Sequence, residues 1–192
     1  EEVIVPAVSG TLNVLKACSE LRVKRAVVAS SVAAAAVKPQ WPDGKVMDEE
    51  SWSDKEYCRI TEEWYCLSKT MAEANALEYG QKHGLDVITV CPSLVIGPML
   101  QPNVNASSLF LITILKGICK SVEDRIHHIV DARDLADALL LTYEKPEASG
   151  RYICSSHAIK AHDLVEMLKN MPLEESLADS VDFYKEAGYL EN

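Results

Sequence analysis

A short apolar run, Ala26-Val27-Val28-Ala29, ends in two hydroxyls, Ser30 and Ser31. Such a run does not alternate between a wet and a dry face, so it reads as a buried parallel strand with the serines at its carboxyl end. Further on, Trp64-Tyr65-Cys66-Leu67-Ser68-Lys69 lies in a helix-favouring stretch. A spacing of four puts Tyr65 and Lys69 on one helix face. A strand end and a helix face of this kind constrain the chain to an α/β arrangement.

The residue types suit the transfer of a proton to a carbonyl oxygen while a hydride reaches its carbon. A free phenol has a pKa of ~10, and a neighbouring ammonium favours its ionised form. Lys69 would therefore bring Tyr65 closer to general acid–base work. Ser31 would hold the substrate oxygen and stabilise the charge developing on it. Lys69 is also suited to bind the ribose of a nicotinamide cofactor, which carries the hydride. Alone, Tyr-x-x-x-Lys is a weak signal, since the tyrosines and lysines of this chain meet at that spacing about half a time by chance. An ordinary helix with a solvated lysine would show the same pattern.

Further stretches follow in order. They are Pro6-Ala7-Val8-Ser9-Gly10-Thr11-Leu12-Asn13-Val14-Leu15, Ala29-Ser30-Ser31-Val32-Ala33-Ala34 and Asp48-Glu49-Glu50-Ser51-Trp52-Ser53-Asp54. After residues 64–69 come Cys91-Pro92-Ser93-Leu94-Val95-Ile96-Gly97-Pro98, Asp131-Ala132-Arg133-Asp134-Leu135-Ala136 and Ser149-Gly150-Arg151-Tyr152-Ile153. Together they resemble the plant extended short-chain dehydrogenase/reductases of the cinnamoyl-CoA reductase and dihydroflavonol reductase group. The likeness runs over about residues 1–170 and resumes near the C-terminus.

The resemblance implies an oxidoreductase that uses NADP, with Ser31 as catalytic serine, Tyr65 as general acid, and Lys69 tuning the tyrosine and binding ribose. Ser30 competes for the serine role, and the spacing to Tyr65 favours Ser31. Pro92, Ser93, Leu94 and Val95 match the turn whose backbone approaches the nicotinamide carboxamide, although a proline-punctuated loop after a strand would look alike.

Departures from the family pattern matter equally. The Gly-x-x-Gly-x-x-Gly turn that cradles a cofactor pyrophosphate does not occur, and residues 1–18 resemble the family's fourth helix. A second break follows Lys169-Asn170-Met171-Pro172, where the family inserts several tens of residues. The expected fold is therefore a partial Rossmann-type doubly wound parallel sheet lacking its first strands, with a small C-terminal α/β substrate subdomain. Residues 1–98 would belong to the NADP-binding domain and 99–192 to the substrate-binding subdomain. Loss of the first strands predicts a hydrophobic edge, poor stability and weak cofactor binding.

Strands are expected at residues 25–30, 87–91, 127–130 and 151–154. Helices are expected at 6–21, 57–83, 106–116, 132–144, 162–169 and 177–187, with the loop 38–54 rimming the site.

Composition fits an enzyme in the cytoplasm: 48% hydrophobic and 25% charged residues, with a net charge of −10. Such an acidic balance disfavours nucleic acid and anionic membranes as partners. No apolar run reaches the ~18 residues of a membrane span, and Glu1-Glu2 does not open a signal peptide. The six cysteines form no Cys-x-x-Cys pair and read as reduced thiols. His127 and His128 lack a carboxylate-rich cluster, so no metal site is expected. Asn105-Ala106-Ser107 is a glycosylation triplet without meaning outside secretion.

In the resembled group, enzymes that reduce cinnamoyl-CoA carry Asn-Trp-Tyr-Cys-Tyr-Gly-Lys, against Glu63-Trp64-Tyr65-Cys66-Leu67-Ser68-Lys69 here. The cationic residues that grip the CoA phosphates are matched by Phe110, Thr113 and Ala161, none of which supplies positive charge; Lys160, next to Ala161, compensates at most in part. The expected substrate is a small-molecule carbonyl, an aldehyde or ketone of phenylpropanoid or flavonoid type. The alternatives are a true cinnamoyl-CoA reductase and a catalytically inactive truncated product that at most associates with full-length relatives. Oligomeric state is not legible.

Overall fold

The computed structural model describes residues 2–40, 46–101, 103–116, 126–160, 163–164 and 175–190, with the backbone alone for 175–178. The chain forms two units: Glu1–Ser93 with Ala138–Cys154, and Leu94–Asp137 with Ser155–Asn192. A single boundary at residue 98 was expected. Instead the chain crosses at residue 93 and returns through a helix to add one strand to the first unit.

The first unit carries α1 (Ile4–Glu20), β1 (Arg25–Ala29), a 3-10 turn (Val32–Ala34), α2 (Lys55–Ile60), α3 (Trp64–His83), β2 (Asp86–Pro92) and β5 (Gly150–Cys154). Its sheet runs β1-β2-β5, with both pairings parallel. Central β2 is buried over Val87 to Cys91, as an apolar strand covered on both faces should be. β1 pairs through Ala26–Val87 and Val28–Thr89 on one side, and its residues are only half-buried or exposed. This is the incompletely covered edge that the sequence predicts. Helices α1 and α3 pack together over the sheet around Leu15, Ala76, Leu85 and Val87.

Where one helix over 57–83 was expected, the chain makes two. Asp54 caps α2 by accepting from Tyr57 N at 2.7 Å. The helix then stops at Thr61, Glu62 adopts φ 58°, and Glu63 N donates back to Cys58 O. A left-handed residue cannot continue a helix, so Tyr65 falls in the first turn of α3 rather than in mid-helix. Gly84, at φ 67°, ends α3 in the left-handed conformation that glycine adopts without penalty.

Within α3, Gly80 lies against the sheet. A Cβ there would sit 2.8 Å from Val87 Cγ2 and 2.9 Å from Leu85 O. Gly80→Ala should therefore destabilise the protein by about 1–3 kcal/mol through overpacking, despite alanine's better helix propensity. Urea unfolding would check this, and an unchanged or raised midpoint would contradict it.

Arg25 ties the start of β1 to the residues closing the next helix, α5 (Ala132–Glu144). Its Nε donates to Asp86 at 2.7 Å, and its Nη groups reach the carbonyls of Thr142, Lys145 and Ala148 at 3.0, 2.6 and 3.0 Å. A guanidinium there satisfies carbonyls that a helix C-terminus leaves unpaired.

The second unit contains β3 (Leu94–Ile96), α4 (Ala106–Leu115), β4 (Ile126–Asp131), β6 (His157–Lys160) and α6 (Glu175–Glu186). β4 pairs with β3 in parallel and with β6 antiparallel. Ile96, Leu111, Ile112, Ile129, Leu164 and Tyr184 form its core. β3 and β6, at three and four residues, are too short to show a period in the sequence. The loop stretch 41–45, Ala161, most of the expected helix 162–169, the break near 171 and Cys119 lie outside the described residues.

Candidate active site

Ser30 and Ser31 extend the chain just beyond β1, but their hydroxyls have different fates. Ser30 is 7% exposed, and its Oγ donates to Glu73 Oε2 at 2.8 Å. Ser31 is half-buried and caps the 3-10 turn, its Oγ accepting from Ala33 N at 3.2 Å. Its own hydroxyl proton remains available for a further acceptor.

Tyr65 and Lys69 occupy successive turns of α3, and this helix packs against the 3-10 turn that Ser31 caps. Tyr65 is 55% exposed. Among the described residues, neither its phenol oxygen nor Lys69 Nζ has a hydrogen-bond or ion-pair partner. Both groups are thus uncommitted, as groups that act on a small molecule should be.

Pro92 closes β2, and Ser93 follows it with its backbone N–H donating to Cys154 O at 3.0 Å. Ser93 is 6% exposed, and among the described residues its Oγ has no hydrogen-bond partner. An orphaned buried hydroxyl is uncommon and costs free energy, so this turn fits a bound group that offers a polar atom to it. Leu94 and Val95 open the second unit as the first residues of β3.

Three of the described cysteines are held protonated. Burial first, and then the Glu63 carboxylate, push Cys66 up to about 11, while burial and the Glu73 carboxylate push Cys91 up to about 12. Cys58 is raised by the same two causes, burial and Glu63. Thiols held protonated in this way are poor nucleophiles. The described cysteines form no disulfide, and no three of the described His, Cys, Asp and Glu residues cluster as a metal site would. None of the described helices is long and apolar enough to cross a membrane. An apolar hollow of about 420 Å³, lined by Val90, Leu141, Tyr152 and Ile153 among others, contains none of Ser31, Tyr65 and Lys69.

What sequence reasoning missed is the pair Glu73–Arg151. Arg151 Nε donates to Glu73 Oε1 at 2.7 Å, with the two side chains 5% and 0% exposed. Burial alone would raise the Glu73 carboxyl. The hydrogen bonds from Arg151, Thr89 and Ser30, with the Arg151 charge, outweigh it and hold the group below its ordinary value. A signal existed in the sequence: Arg151 interrupts an expected buried strand, and a charge there requires a partner.

The chain matches the NAD dependent epimerase/dehydratase family over residues 1–154. It is 42% identical to cinnamoyl-CoA reductase 1 of Petunia hybrida over 168 residues, which are 88% of this chain and 50% of that protein. Dihydroflavonol 4-reductase of Zea mays is 37% identical, with 88% and 48% covered. The chain spans about half the length of the curated relatives it matches. Among solved structures, vestitone reductase of Medicago sativa superposes with a TM-score of 0.82 at 26% identity, covering 98% of this chain and 73% of that one. Yeast methylglyoxal/isovaleraldehyde reductase Gre2, complexed with NADPH, shares the fold with a TM-score of 0.81 at 22% identity, covering 97% and 72%. With its parallel sheet in the first unit and its match over residues 1–154, the chain belongs to the NAD dependent epimerase/dehydratase family.

Proposed function

We propose that the protein is an NADPH-dependent reductase of a phenylpropanoid- or flavonoid-type aldehyde or ketone, acting in the cytoplasm. The observation that carries this reading is the division of labour at the end of β1. Ser30 is consumed by Glu73, whereas Ser31, Tyr65 and Lys69 keep groups available for a ligand. Relatives named as cinnamoyl-CoA and dihydroflavonol reductases support the reaction class.

In this reading NADPH supplies the hydride. Lys69 and Tyr65 would hold the ribose of that cofactor, and the Pro92, Ser93, Leu94 and Val95 turn would bind its carboxamide. The Ser31 hydroxyl donates to the carbonyl oxygen and orients it. Tyr65 delivers its phenolic proton to that oxygen as negative charge develops, and Lys69 stabilises the phenolate left behind. The alcohol departs, and solvent restores the proton to Tyr65.

A second reading, reduction of a cinnamoyl-CoA ester, draws on the 42% identity to a cinnamoyl-CoA reductase. Against it, Phe110 packs on His127 with ring centroids 4.8 Å apart and the planes tilted by 42°, and Thr113 Oγ1 donates to Leu109 O at 2.7 Å, so neither position offers a cation to a phosphate.

Titration of NADPH into the purified protein, followed by fluorescence, separates these. Saturable binding at micromolar concentration, then turnover of cinnamaldehydes or dihydroflavonols but not cinnamoyl-CoA, is expected. Turnover of the CoA ester with inhibition by free CoA would favour the second reading. Folded protein that binds no NADPH would overturn the proposal.

A further inference from the structure

Glu73 is 1% exposed, yet it carries a charge. A carboxylate offers about four lone-pair positions, and here they are filled from three strands. Oε1 accepts from Thr89 Oγ1 at 2.7 Å, Cys91 Sγ at 3.1 Å and Arg151 Nε at 2.7 Å. Oε2 accepts from Ser30 Oγ at 2.8 Å and Arg151 Nη2 at 3.3 Å. Ser30 lies at the end of β1, Thr89 and Cys91 belong to β2, and Arg151 belongs to β5.

Arg151 also reaches away from the sheet. Its Nη1 donates to Ser51 O and, at 3.1 Å, to Glu49 O, and its guanidinium lies 3.9 Å from the centroid of the Trp52 ring. The backbone of residues 49–52 is thereby pinned to the same charge pair.

A buried ion pair is weak evidence for stability, because apolar residues of the same volume frequently serve as well. What apolar residues do not do is fix direction. Contacts between α3 and the strands would tolerate a slide of the helix, whereas five hydrogen bonds to one carboxylate, three of them at 2.7–2.8 Å, do not. Glu73 lies one helical turn beyond Lys69 and two beyond Tyr65, on the same face. Its partner Ser30 is the immediate neighbour of Ser31.

We infer that Glu73, anchored by Arg151, is a positioning residue that sets Tyr65 and Lys69 in register with Ser31. This rests on the reading of those three residues as the reacting groups. Glu73 itself, buried among protein donors, does not touch substrate.

The test compares Glu73→Gln, Arg151→Lys and Tyr65→Phe in the full-length protein, with kcat and KM normalised to the folded fraction by circular dichroism. The NADPH Kd is measured by fluorescence. A misplacement of about 1 Å costs on the order of 100-fold in rate. Glu73→Gln is therefore expected to lower kcat about 10- to 100-fold, with a smaller rise in the NADPH Kd from the displaced Lys69 and a carbonyl KM within about threefold of the unaltered protein. Arg151→Lys keeps the charge but not the two-nitrogen fork. It should lower kcat in the same way, and it carries the test if Glu73→Gln does not fold. A reduced melting temperature with unchanged kcat per folded molecule, in whichever variant folds, would make the pair merely structural and overturn the inference. If turnover survives Tyr65→Phe, or is absent from the unaltered protein, both the parent reading and this inference fall. Loss in Tyr65→Phe beside a normal Glu73→Gln removes the inference alone.

Discussion

Tyr65→Phe should lower carbonyl turnover by about 10²–10⁴-fold, the usual worth of a positioned general acid, while NADPH affinity, which Lys69 still supports, falls by no more than a few-fold. The change removes one hydroxyl from a side chain that is 55% exposed and has no protein hydrogen-bond partner among the described residues. Nothing in the fold is therefore left unpaired, and the melting temperature should hold. Steady-state rates with a saturating aldehyde, beside a fluorescence titration of NADPH, check both halves. Turnover within a few-fold of the unaltered protein would remove Tyr65 from the mechanism. Loss of NADPH binding and stability together would mean that the ring, rather than the hydroxyl, is what matters.

The largest effect on stability is expected from Arg151→Met. The substitution leaves Glu73 buried without its cation and frees the carbonyls of Ser51 and Glu49 from their donor. Breaking a buried pair from one side costs about 3–5 kcal/mol, a large share of a domain's typical margin of about 5–15 kcal/mol.

The pH dependence of this effect has a definite sign. In the unaltered protein Glu73 is held below its ordinary value of 4.5. Its contribution is therefore fully present above the unfolded value and is lost as the pH falls through the folded one. In Arg151→Met the orphaned carboxyl can escape its penalty by taking up a proton. The difference in stability between the two proteins should accordingly be widest near neutrality and shrink on acidification. Chemical denaturation at pH 7 and pH 5 would show it. A gap that stays constant or widens toward acid would indicate that Glu73 is not the group responsible.

Much of the first unit was legible because its signals are local. The apolar run before Ser30 became β1, the buried run before Pro92 became β2, and the expected helix at 132–144 appears as α5. The break between α2 and α3 was not legible, because Glu62 carries no glycine or proline to announce a left-handed residue. The return of β5 to the first unit was hidden for a different reason: which sheet a short strand joins depends on partners distant in sequence.

By itself the sequence determined the class of chemistry to look for, since residue type and a four-residue spacing already place a phenol and an ammonium together on a helix face. It also determined the family, through motifs in a fixed order, and the weakly covered edge at β1. Only the tertiary structure shows that the two serines have different surroundings. In one dimension Ser30 and Ser31 are neighbours with the same hydroxyl. In three, an extended chain turns successive side chains to opposite sides. Ser30 falls on the buried Glu73 carboxylate while Ser31 remains half-buried at the turn beyond the strand.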